Sequence, residues 1–128
     1  MAAMSDYLEQ KVLDYVLRDQ ADWAPASVHL SLHTANPGED GTGTEVSGSG
    51  YARQAITFNA AHATNGTIDN SSEETFTNMP GVTVTHIGIW DNSSGGNLLF
   101  YGAVDTPKTV TAGDTITLAA GALDITLA

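Results

Sequence analysis

The chain contains no cysteine and only four basic side chains, Lys11, Arg18, Arg53 and Lys108. The first absence excludes disulfides, thiolate metal sites and thiol nucleophiles. The second argues against nucleic acid as a partner, because affinity for DNA or RNA comes mainly from Lys and Arg neutralising phosphates. Fifteen Asp and Glu against those four bases give a formal charge of −11 at pH 7, so no membrane partner is expected either. Long apolar runs are also lacking, and none approaches the ~20 residues of a membrane-spanning helix. The opening Met-Ala-Ala-Met-Ser-Asp has neither the charged nor the apolar region of a signal peptide.

What the chain does contain is Thr, Gly, Ala and Ser around short apolar segments, with 41% hydrophobic residues in 128. That is too apolar for disorder and long enough for one domain, 1–128, with a real core. Thr-rich segments punctuated by Gly are the profile of an all-β fold.

One segment, about 5–20, reads as a helix. Asp6 followed by Glu9 has the spacing of a capping box. Leu8, Val12, Tyr15 and Val16 recur at helical spacing, and Leu13 and Leu17 widen the stripe. This helix is therefore expected to lie against other structure over a broad face. Ala24-Pro25 ends it or a short continuation, since the residue before proline avoids helical geometry.

The period then changes to 2. In "SVHLSLH" Val28, Leu30 and Leu32 alternate with His29, Ser31 and His33. A long loop, about 34–50 and rich in Gly, Asp and Ser, follows; loops of that length are usually functional or mobile. "YARQAITF", Thr67–Asp69 and Glu74–Thr77 read as strands, and "VTVTHIGIW" and "NLLFYGAV" as a hairpin. Further short strands follow within "KTVTAGDTITLAAGALDITL". About eight strands with turns every 8–12 residues predict a β-sandwich, jelly-roll-like, with one N-terminal α-helix.

Candidate chemistry is sparse. His29 and His33 on a strand sit ~13 Å apart, too far for one metal ion without help from another element; they read as polar-face histidines. His86 falls in line with Val82, Val84 and Trp90 and reads as a hydrogen-bonded core or interface histidine, while His62 has no patterned context. "PGEDGTGTE" and "DNSS" offer oxygen donors but lack the spacing of a calcium loop. Neither a G-x-S-x-G elbow nor a phosphate-binding G-x-x-x-x-G-K occurs. No catalytic residue, metal or cofactor is therefore assigned.

Arg53 is the one base inside a strand pattern flanked by Tyr51 and Ile56, which suits a bidentate ion pair or an intersubunit contact. The hairpin's second arm, Leu98-Leu99-Phe100-Tyr101-Gly102-Ala103-Val104, is apolar on both faces, whereas a strand with one wet face alternates. Ile87, Ile89, Trp90, Leu98, Phe100 and Tyr101 are accordingly expected below the helix or at a subunit interface. With Tyr51 and Arg53 they form the candidate interface set.

"SDYLEQKVLDYVLR", "SVHLSLHTANPGEDG", "GYARQAITF", "FTNMP", "VTHIGIWD", "SGGNLLFYGAV" and "KTVTAGDTITLAAGALDITLA" resemble, in this order, a family of small tailed-phage virion proteins commonly labelled tail-fibre-like. Fold and size are also similar to the β-sandwich cement, or decoration, proteins of phage heads. The resemblance implies a structural protein without catalytic residues, made in the host cytoplasm. The expected role is capsid cement: a homotrimer on the outer surface of the phage head that bridges subunits of the major capsid protein. The alternative is a short tail fibre, or a tail or baseplate accessory protein, that binds a host receptor.

Overall fold

A computed structural model describes residues 2–18, 24–62 and 64–127. The expected all-β fold with a single N-terminal helix is present. Its elements are β1 (Ala2–Met4), α1 (Asp6–Leu17), β2 (Val28–His33), β3 (Gln54–Ile56), β4 (Thr67–Asp69), β5 (Glu74–Phe76), β6 (Val82–Trp90), β7 (Leu98–Val110), β8 (Ile116–Leu118) and β9 (Asp124–Thr126). A five-stranded antiparallel sheet has the order β1-β7-β6-β2-β3, and β4–β9 and β5–β8 form two separate two-stranded ribbons. Leu30, Leu32, Ile56, Val84 and Ile89 of the sheet meet Phe76 and Ile125 of the ribbons in one apolar core. Sheet and ribbons thus form the two layers of a sandwich.

β1 was not legible as a strand. It pairs Ala2, Ala3 and Met4 with Gly102, Tyr101 and Phe100 of β7. Ser5, not Asp6, caps α1: its backbone is extended and its side-chain oxygen accepts the Leu8 N–H. Asp6 and Glu9 lie in the first turn instead, where carboxylates favour the positive end of the helix dipole. The same Ser5 donates its hydroxyl to the Leu98 carbonyl, and its N–H to that of Leu99 at 2.8 Å. One buried residue therefore fixes the helix start to the sheet. The expected extension of the helix to residue 20 lies partly outside the described residues, as does Trp23.

Simple alternation fails in β6. It would place Val84 and His86 on one side and Ile87 and Ile89 on the other. Instead the register with β7 breaks: Val84 pairs with Lys108 but His86 with Ala103. Residues 104–107 of β7 therefore bulge opposite Thr85. A bulge resets which face each residue takes, so Val84 and Ile89 both reach the core. His86 instead pairs across the strands with His33. Pro107 lies within this bulge, where its missing N–H removes no ladder bond.

Candidate functional site

The apolar second arm of the hairpin is covered by the chain's own long loop. On the sheet face turned from the core, Ser31 is opposite Gly88 and Gly88 opposite Tyr101, with Trp90 two residues further along β6. The chain leaving β2 crosses this face and returns, closing with Thr34 N–H to Thr44 O at 3.0 Å and Val46 N–H to Leu32 O at 2.9 Å. Gly41 lies flat on the Trp90 ring, with φ +73°, and a Cβ there would come within 2.6 Å of the indole. Both the backbone angle and the close approach require glycine.

Arg53 locks this cover. Its Nε and Nη2 bond both Glu45 carboxylate oxygens at 2.9 and 2.8 Å. Its Nη1 donates to the Asn92 and Gly95 carbonyls at 3.0 and 2.8 Å, and its guanidinium lies 3.9 Å from the Trp90 ring centroid. Loop, hairpin turn and indole are thus held by one side chain, 7% exposed against 25% for Glu45. Tyr51 adds a second anchor, donating to Glu45 at 2.8 Å and accepting the Leu32 N–H at 3.0 Å. That N–H lies just past the end of β3, whose pairing with β2 stops at Leu30. The tyrosine stands in for the missing strand.

Under the loop is a buried polar chain. Trp90 Nε1 donates to Ser31 Oγ at 2.8 Å, Ser31 Oγ lies 2.7 Å from His33 Nε2, and His33 Nδ1 lies 3.0 Å from Thr44 Oγ1. Burial lowers the His33 pKa to about 4; Arg53 and His86 push the same way and Glu45 opposes them. At neutral pH this imidazole is uncharged. Burial pushes the Glu45 carboxyl up, but bonds from Arg53 and Tyr51 outweigh it and hold it below the ordinary value. Tyr101 is held above the ordinary phenol value by its bond to the Glu39 carboxylate.

Of the candidate interface residues, Ile89, Trp90 and Leu98 are buried inside the chain, which leaves them no surface to offer a partner. Tyr51, Arg53, Ile87, Phe100 and Tyr101 are half-buried. Arg53 makes the ion pair that its sequence context suggested, and it does so within the chain. Ile89 and Phe100 pair on the core side, whereas Arg53, Trp90 and Tyr101 belong to the loop side. The set therefore divides between two faces. Sequence reasoning missed Ser31, His33 and Glu45 as partners. Gly88 carried the one available signal, since glycine inside an apolar strand marks a close approach: a Cβ there would sit 2.7 Å from Ser31 Oγ.

The histidines do not converge. His29 contacts Ser27 at 3.0 Å, His86 contacts Thr85 at 2.8 Å, and His62 is exposed. Among the described residues no group of three or more His, Asp or Glu is placed to hold a metal ion. Asp91 and Asp40 are engaged in turns, Asp91 with Asn97 and Asp40 with Thr42.

The helix departs most from expectation. Leu8 is its buried residue, and beyond it the apolar stripe finds no cover. Leu13, Tyr15, Val16 and Leu17 are 56%, 52%, 66% and 75% exposed. No helix among the described residues is long and apolar enough to cross a membrane.

Fold and site together define a small structural β-module whose buried polar groups are spent on internal bonds. A family model described as Podophage GP4 fiber I protein gp80 matches residues 3–126, and the chain belongs to that family. It is a phage virion structural protein, fibre-like in kind. Curated proteins give no match to the chain.

Proposed function

We propose that the chain is a building block of a tail fibre, and that its copies associate through the helix. The family's description names a fibre, and this moves the fibre role ahead of the head-cement role. The carrying observation is the uncovered second half of α1, four large apolar side chains at the surface of a chain with charge −11. A last turn that is apolar around most of its circumference is the pattern of a buried helix, so α1 acquires its cover on assembly. Ser31 and His33 have no chemical part in this reading: both are fully buried and serve to hold the loop.

Imaging virions that carry a labelled copy tests the location. Label confined to the tail, at a few to a few dozen copies per particle, is the expected result. Label spread over the head at hundreds of copies replaces the fibre reading with cement on the major capsid protein.

A further inference from the structure

The molecule carries a groove as well as an uncovered helix end. It opens between the β7 side of the sheet and the β8 and β9 ribbon strands, with a volume of about 360 Å³. Ligand pockets begin at about 300 Å³. Its lining includes Leu30, Ile87, Leu118 and Leu123, with the exposed carboxylates Asp105 and Asp124 beside them. The groove exists because the second layer is two separate ribbons, not one sheet, so core side chains are left accessible between them.

We propose that the second half of α1 of one copy seats in this groove of the next copy. Three observations point to that occupant. Leu13, Val16 and Leu17 supply the apolar volume that the groove lacks, and the groove supplies the cover that they lack. Two of the four bases in the chain, Lys11 and Arg18, lie on α1, whereas the groove presents Asp105 and Asp124. In so acidic a chain this is the contact with the least repulsion between copies. Finally, both features lie at one edge of the sheet: β1, which leads into α1, pairs with Gly102, and Gly102 also lines the groove. A copy cannot fill its own groove, because its helix lies on the loop side, beside Glu39, Asp40 and Leu98.

Such a contact is heterologous, with different surfaces on the two sides, and it either closes into a ring or propagates. The smallest ring it closes is a trimer. The inference rests on the self-association in the fibre reading and adds the surfaces that carry it.

Because the chain has no cysteine, a disulfide trap reports the contact directly. Leu17→Cys and Ala122→Cys proteins, mixed under mild oxidation, are expected to give a cross-linked heterodimer much faster than either gives a homodimer. Leu17→Cys pairing with itself at the same rate would mean that helix packs on helix, and overturns the proposal. Light scattering on the purified wild type is expected to give a multiple of 13.3 kDa. Leu17→Asp is expected to reduce it to the monomer with an unchanged far-ultraviolet circular dichroism spectrum. A wild type that stays monomeric also overturns the proposal. Neither measurement depends on where the protein sits in the virion, so a wrong location and a wrong contact are told apart.

Discussion

The two faces of the five-stranded sheet are covered by different physics. On one, Leu30, Leu32, Val84 and Ile89 meet apolar side chains of the ribbons, and area removed from water supplies the stability at roughly 25 cal/mol per Å². On the other, the cover is a loop of Gly, Asp and Thr with little apolar surface to offer. It is held by Arg53, Glu45, Tyr51 and the Trp90–Ser31–His33 chain. The apolar face tolerates any side chains that fill the volume. The polar face depends on directed bonds that one substitution can break. A protein too small for a second full layer thus covers both sides of its sheet.

The largest expected break is on the apolar face. Phe76 is buried and stacks on Tyr51 at 6.0 Å between ring centroids. Phe76→Ala should cost about 4 kcal/mol, read as a lower midpoint of global unfolding in denaturant. A cost near 1 kcal/mol would mean that the ribbons collapse to fill the space and that this face is not rigidly packed.

The polar face should show itself through pH. The pKa of His33 falls from 6.5 to about 4 on folding. As pH drops, the unfolded chain binds a proton first, so stability should decline between about pH 6.5 and pH 4 and this contribution should level off below. The loss is roughly 3 kcal/mol at most. Below the ordinary Glu45 value of 4.5, protonation of that carboxylate adds a second decline, since its pKa is lowered on folding. His33→Gln should remove the upper window and leave the lower one. Unfolding midpoints measured across pH 3–7 for both proteins check this; an unchanged slope in the variant assigns the effect elsewhere.

The smallest effect separates geometry from charge. Arg53→Lys keeps the cation but loses the fork that reaches Glu45, Asn92 and Gly95 together. About 1–2 kcal/mol should be lost, with amide exchange accelerating at Thr34, Thr44 and Val46 while strands β2 and β6 keep their protection. Equal acceleration in the core would mean that the two faces do not open independently.

Much of the sheet was readable. Val28, Leu30 and Leu32 alternate as written, and Thr67–Asp69, Glu74–Phe76 and the Asp91–Asn97 turn fall where composition places them. β1 was not readable, because Ala2, Ala3 and Met4 become a strand only by borrowing the free edge of β7. His86 was assigned to the wrong side because a bulge across the sheet is a property of the pair of strands, not of either alone. The candidate site was legible in part. Arg53 stood out as a base in an apolar setting, but its partner Glu45 was one acid among 15. The loop expected to serve other molecules is instead bound to its own sheet.

The order of residues alone determined the class of the fold, through periods of 2 and 3.6 that any chain must satisfy to bury its apolar side chains. It also determined the acidity that sets the company this protein keeps. Which face each residue occupies, what covers the doubly apolar strand and which part of the helix stays uncovered were decided only in three dimensions. Those outcomes depend on register and on contacts between residues far apart in the chain, and local patterning holds no information about either.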